Sequence, residues 1–213
     1  MRLVLALLIV LSSVSLSSRS AHAVTFIDWT DVDLANDIAQ GTLGNVAVTM
    51  SGGDLVFAIT GGSFQGFDNA LFCPPLAAAD VVEFIGTSPA LFYTITFGSP
   101  ILDPVIHIRS LASELTFADV KLTRLCGDGG FVVESNVVRG VCLDGVDPND
   151  ANGTIQIEGL LSTLSFSAYW GGCGSFTIDG IDLQIGVDEA VGVPLPQPNR
   201  DNSSWGELKA LYR

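Results

Sequence analysis

The sequence predicts an all-β protein: an antiparallel β-sandwich of jelly-roll type, carrying a short helical tail at its C terminus. Three observations lead there. Apolar and polar residues alternate with period two in segment after segment, as in strands that bury one face. These segments recur about every eight to twelve residues, bounded by Gly, Asn, Asp and Pro. Before residue 203, helical spacing is scarce.

Residues 1–23 read as a signal peptide. Met1-Arg2 supplies the charged start, Leu3 to Leu16 the apolar stretch, and Ala21-His22-Ala23 the small-x-small cleavage site. An apolar stretch of about 14 residues is shorter than the roughly 20 needed to span a bilayer. No second long apolar run follows, so no transmembrane segment is expected, and no Cys sits near the cleavage site to take a lipid. The mature chain is expected to begin at Val24 and to be exported, to the cell surface or the extracellular space, with the periplasm as the other destination.

The segment 24–187 is expected to form one β-sandwich domain. The stretches "NVAVTM" (45–50) and "DLVFAIT" (54–60) flank Ser51-Gly52-Gly53 and read as a hairpin. "VVEFIG" (81–86), "LFYTITF" (91–97), "PVIHIRSL" (104–111), "LTFADVKLTRL" (115–125) and "FVVESNVVRGVCL" (131–143) follow as strands or strand pairs. "TIQIEGL" (154–160), "TLSFSAYW" (163–170) and "FTIDGIDLQIG" (176–186) complete the set. In 91–97, Tyr93, Ile95 and Phe97 face one way and Thr94 and Thr96 the other. About ten such strands suffice for two packed sheets. An outer-membrane barrel is the alternative, but aromatic girdles are missing and the strands are broken by Gly. Segment 31–39 can form a turn or two of helix, with Asp31 as cap and Leu34 and Ile38 one turn apart. Segment 74–82, opening on two prolines, can hold another turn. Residues 188–202, with three prolines, read as an extended linker. In the tail 203–213, Trp205, Leu208, Leu211 and Tyr212 fall near one helical face, with Ser203 or Ser204 as cap.

Charge narrows the partners. Loss of Arg2 and Arg19 with the signal leaves seven basic residues against 23 acidic ones, a net of −16. Such a surface repels nucleic acid phosphates and anionic membranes. It favours solubility and, where carboxylates cluster, cation binding.

Cysteines, four in number, suit an exported protein with two disulfides. No C-x-x-C spacing points to zinc or thioredoxin chemistry. Three pairings are open. The fold-back of 127–141 favours Cys126 with Cys142, which leaves Cys73 with Cys173.

Catalytic constellations are thin. His107 is the sole histidine of the mature chain, which excludes a multi-histidine metal site. Alternation places it beside Val105 and Arg109, and a wet or edge face is expected. No G-x-S-x-G elbow accompanies it. Glu83, Glu134 and Glu158 lie on strands and can line a sheet face, but nothing in their spacing pairs them as a glycosidase requires. A carbohydrate-active enzyme using strand carboxylates is therefore the alternative to a non-catalytic module.

Two stretches suggest binding. Asp144, Asp147, Asn149, Asp150 and Asn152 place five hard oxygen-bearing side chains within nine residues, and Asp128 belongs to a neighbouring turn. That set suits calcium, which takes six to eight oxygens; it also suits plain turn chemistry through Asp-Pro, Asn-Asp and Asn-Gly. No EF-hand register is present and no cofactor is required. Tyr169 and Trp170 end a strand before a Gly-rich loop. Adjacent strand residues face opposite ways, so one is core, and an exposed Trp170 would offer a stacking surface to a glycan.

The stretches "GFDNALFCPPLAAADVVEFIG" and "YTITFGSPILDPVIHIRSLASELTF" resemble a loose group of bacterial exported β-sandwich proteins, whose relatives are often surface-sorted, some through a C-terminal PEP-type anchor. The resemblance covers about residues 26–186 and implies an exported β-sandwich, with no catalytic set attached to it. The chain departs from anchored relatives in having no Pro-Glu-Pro, no C-terminal apolar span and no terminal Arg cluster, so that anchor is not expected. Its ending, with Trp205-Gly206, Lys209 and Tyr212-Arg213, is similar to short endings on other secreted bacterial proteins. The expected function is a secreted or cell-surface binding or structural module with glycan or calcium affinity.

Overall fold

A computed structural model describes residues 23–140, 150–171 and 178–188. Fourteen strands are described in this order: β1 (Val24–Asp33), β2 (Ile38–Leu43), β3 (Val46–Ser51), β4 (Leu55–Phe64), β5 (Ala79–Gly86), β6 (Leu91–Leu102) and β7 (Val105–Leu111). β8 (Glu114–Phe117), β9 (Lys121–Gly127), β10 (Phe131–Glu134), β11 (Val137–Gly140), β12 (Ala151–Glu158), β13 (Leu160–Tyr169) and β14 (Asp179–Asp188) complete them. No helix occurs among the described residues, and their strand-to-strand pairings are antiparallel. The protein is all-β, as its period-two pattern predicts.

One layer runs β4-β5-β14-β7-β12-β9, the other β1-β2-β3-β6-β13-β8-β11-β10. β1 belongs to both. Val24 to Phe26 pair with the end of β14, and from Ile27 onward the strand pairs with β2. At the far end β10 comes back against β9 and β12, so the strand path nearly closes on itself, like a barrel. Near-closure leaves few unpaired edges, the usual hazard of an all-β chain.

The alternating apolar positions converge between the layers. Trp29, Tyr93 and Ile95 from one side meet Phe84, Ile108, Leu183 and Ile155 from the other, all buried. Tyr93 stacks on Phe166 at 5.3 Å, and Phe84 and Phe117 close around the same ring. Each large side chain removed from water contributes about 1.5–3 kcal/mol. Asp80 ties the layers together at one edge: its carboxylate accepts the amides of Trp29 on β1 and Gly62 on β4.

Ser51-Gly52-Gly53 does not close a hairpin. β3 pairs with β2 and β6, whereas β4 pairs with β5, so this turn carries the chain from one layer to the other. Its positive φ angles, 90° at Gly52 and 66° at Gly53, permit the reversal, and the Tyr93 ring packs directly on Gly53. Residues 34–37 form a turn instead of a helix, because Asp33 Oδ1 accepts the amides of Ala35 and Asn36 and holds the β1–β2 connection tight. No helix forms at 74–78. The stretch 115–125 divides at Asp119, whose φ is 52°, into β8 in one layer and β9 in the other.

The segment 65–78 is a strap across the outer face of the first layer. Phe67 and Phe72 pack edge to face at 4.9 Å, and with Ala79 and Val81 they form a second, smaller core. The strap is bound down by a disulfide between Cys73 and Cys126, with 6.1 Å between their Cα atoms. This overturns the expected pairing of Cys126 with Cys142 and of Cys73 with Cys173. The reason is register: Cys126 lies opposite Thr154, and the Cys73 amide donates to the hydroxyl of that same Thr154. Strap and β9 therefore meet over one residue, a proximity invisible in a spacing of 53 positions. Cys142 and Cys173 lie outside the described residues, as do residues 1–22 of the signal segment, 189–202 of the linker, whose first residue Asp188 instead ends β14, and the tail 203–213.

Candidate binding groove

The residues singled out in the sequence are dispersed. His107 is fully buried under the strap, not on a wet face. Its Nε2 bonds to the Pro74 carbonyl and its Nδ1 to the Thr154 hydroxyl, each at 2.9 Å. Burial pushes its pKa down to about 4, so the ring is neutral. Glu158 accepts from Lys121 and Thr123, Glu134 pairs with Arg139, and Glu83 sits beside Asp182 on the outer face of the first layer. Burial raises Glu83, with the Asp182 charge adding to the effect. The three carboxylates lie in different places, so they do not form a facing pair with one another.

Of the calcium candidates, Asp144, Asp147 and Asn149 lie outside the described residues; Asp150 and Asn152 are described. Asn152 is committed to the fold. Its Oδ1 accepts the Ser110 amide, its own amide donates to Asp128 Oδ2 at 2.7 Å, and its Nδ2 reaches Asp128 and the Asp150 carbonyl. Asp128 meanwhile accepts from Gly130 and Phe131 through Oδ1. The sequence places Asp128 near this loop, and the two do meet, as a turn-locking network. Among the described residues no group of three or more His, Cys, Asp or Glu is arranged to hold a metal.

Trp170 is 6 % exposed, so its ring is withdrawn from solvent and is not the exposed one of the two. Tyr169 is 44 % exposed. It stands on the outer face of the second layer, where β6, β13 and β8 lie side by side, and this face holds the groove.

Phe92 is opposite Ser167, and Ser167 is opposite Thr116, making one row across the three strands. Thr94 and Ser165 form the next row, their hydroxyls 3.4 Å apart. Phe92 is 74 % exposed. Asp119 and Asn136 bound the far side, where Asn136 Nδ2 donates to the Phe117 carbonyl at 2.6 Å and the Phe117 amide returns to the Asn136 carbonyl. The depression so formed has a volume of about 560 Å³. Its floor is hydroxyl-bearing because Thr94, Ser165, Ser167 and Thr116 are the outward residues of strands whose inward residues fill the core. A separate, smaller depression of about 190 Å³ is lined by Glu114, Arg139 and Tyr169, one row along the same strands from Thr116 and Ser167.

Chemically, this surface offers an open aromatic ring, a carpet of neutral hydroxyl donors and acceptors, and no Lys or Arg in the larger depression. It has one carboxylate there, Asp119, and no histidine to activate a nucleophile. The arrangement can hold a hydroxyl-rich molecule by stacking and hydrogen bonding. A sequence signal for Phe92 exists: it shares the polar face of Thr94 and Thr96, so an aromatic ring stands among hydroxyls. The groove itself has no such signal, since its three strands are far apart in the chain.

No helix among the described residues is long and apolar enough to cross a membrane. Compared with protein-family models, with curated proteins and with solved structures, the chain finds no match.

Proposed function

We propose that the chain is an exported, non-catalytic binding module that takes a glycan on the outer face of its second layer. The observation that carries the reading is Phe92, 74 % exposed above a floor of Ser and Thr. Apolar rings of this size are normally buried. A ring held in water among hydroxyls suits the face of a sugar, which is apolar on its ring carbons and polar at its rim. Export is supported by the N-terminal segment and by the disulfide that fastens the strap, since disulfides persist in oxidising compartments. A jelly-roll type of sandwich is supported by crossovers that set β13 between β6 and β8, and β12 between β7 and β9.

The test is a glycan-array screen of the mature protein, with and without calcium, repeated with Phe92→Ala. Binding to a restricted set of glycans that Phe92→Ala removes supports the reading. Absence of binding to any glycan overturns it. Release of cleaved sugar from a bound glycan overturns its non-catalytic half.

A further inference from the structure

We infer that the groove takes an extended, neutral glycan chain lying along β8 and β13, with a second subsite at Tyr169, Glu114 and Arg139. This rests on the glycan reading above and goes beyond it in naming the ligand class and the residues that recognise its second sugar.

The two depressions are lined by consecutive rows of one sheet face. Thr116 and Glu114 are two residues apart on β8 and point the same way; so do Ser167 and Tyr169 on β13. Tyr169 is opposite Glu114, and Glu114 is opposite Arg139 on β11, so a phenol, a carboxylate and a guanidinium form the row that follows Phe92, Ser167 and Thr116. From Ser165 to Tyr169 the strand advances about 13 Å, more than one sugar ring occupies. Phe92 and Tyr169 are diagonal neighbours on β6 and β13, two exposed rings along one track.

The second row adds what the first lacks. Glu114 is an acceptor and Arg139 a donor with fixed geometry, so together they bind neighbouring hydroxyls of one sugar. Arg139 also donates to Glu134 at 2.9 Å, which orients its guanidinium and neutralises its charge. With that cation paired, Asp119 at the rim and a mature chain of net charge −16, an anionic polysaccharide meets repulsion.

Titration calorimetry on the mature protein tests this, using neutral cello-, xylo- and manno-oligosaccharides of one to six units and oligogalacturonate as the anionic probe. At least one neutral series is expected to bind at least tenfold more tightly at four units than at one. Tyr169→Ala and Glu114→Gln are expected to remove that gain while leaving single-sugar binding intact; Phe92→Ala removes both. Circular dichroism and thermal melting confirm that each variant is folded, and Arg139→Gln serves as a second probe of the distal subsite. Equal affinity at all lengths overturns the extended chain but leaves the glycan reading standing. So does an unchanged profile in Tyr169→Ala and Glu114→Gln, or tighter binding of oligogalacturonate. If none of these sugars binds the wild-type protein, the extended-chain inference falls, and the glycan array alone decides the glycan reading.

Discussion

Thr154 and His107 face each other across β12 and β7, with Oγ1 of Thr154 2.9 Å from Nδ1 of His107, and both are fully buried. The proton positions follow from the neighbours. Pro74 offers only a carbonyl, so Nε2 carries the ring proton; Nδ1 then accepts from the Thr154 hydroxyl, which itself accepts the Cys73 amide. Along this relay from Cys73 through Thr154 and His107 to Pro74, each polar atom named is satisfied while the ring is neutral. Phe26, Phe67 and Phe72 surround the ring, and no charged group touches it.

The first prediction is a loss of stability in acid through His107. Its folded pKa, about 4, lies below its ordinary 6.5, so the unfolded chain binds the proton more readily. The neutral ring's contribution is complete above pH 6.5 and disappears as pH falls toward 4, amounting to on the order of 3 kcal/mol. The stability difference between wild type and His107→Gln, from urea melts at successive pH values, should shrink across that window. A constant difference refutes it.

Asp179 works in the opposite direction over nearly the same window. Burial raises it from 3.8 to about 6, although it accepts the Ala112 amide. A raised acid favours folding below its unfolded pKa and loses that advantage as pH rises through the folded value. Asp179→Asn should therefore gain stability relative to wild type between pH 4 and pH 6.5. If the two chains show parallel pH profiles, Asp179 is not the group responsible.

Removing the strap's covalent tie is the third prediction. In the chain-entropy account, closing a loop of 53 residues contributes about 4 kcal/mol. Cys73→Ser with Cys126→Ser should lower stability by that order and expose Phe67 and Phe72, read as dye binding. Non-reducing peptide mapping should recover the Cys73 and Cys126 peptides linked to each other. Recovery of Cys126 with Cys142 would contradict the fold.

Arg109 supports the fourth. It pairs with Asp182, which is 4 % exposed, and its guanidinium lies 5.4 Å from the Phe64 ring centroid. Arg109→Ala leaves a buried carboxylate without its cation. The guanidinium is partly solvated, so the loss is expected at about 2 kcal/mol rather than at the larger cost of a fully buried pair. Adding Asp182→Asn should restore part of it in a double-mutant cycle.

Gly53 supplies the fifth. Its φ of 66° is costly for any other residue, and a Cβ there would lie inside the Tyr93 ring. That ring cannot move cheaply, because its hydroxyl donates to the Ile85 carbonyl at 2.7 Å and accepts the Asp54 amide. Gly53→Ala should lose about 2 kcal/mol or more in denaturant melts.

Strand positions were legible because alternation is a local property. Tyr93, Ile95 and Phe97 do point inward and Thr94 and Thr96 outward. Pairing is not local. Two strands joined by two glycines look like a hairpin until Tyr93 of a later strand claims Gly53 and sends β4 to the other layer. His107 alternates with core residues and so looks solvated; it is dry because the strap, whose Pro74 lies 33 residues earlier, covers it. For Tyr169 and Trp170, alternation shows that one is buried without showing which. The groove was illegible for the same reason as the disulfide: β6, β8 and β13 become neighbours only through crossovers.

The strand that arrives last lies in the middle. β14 ends the described chain, yet β1, β5 and β7 all pair with it, and Val24 is matched to Asp188 across nearly the whole domain. A chain emerging from its N terminus cannot close the interior until that final segment is delivered. Contacts of this sequence separation make folding slow and the half-made chain adhesive. The order of synthesis and the order of the sheet thus run against each other: the first strand made waits for a partner that is the last described strand to be made.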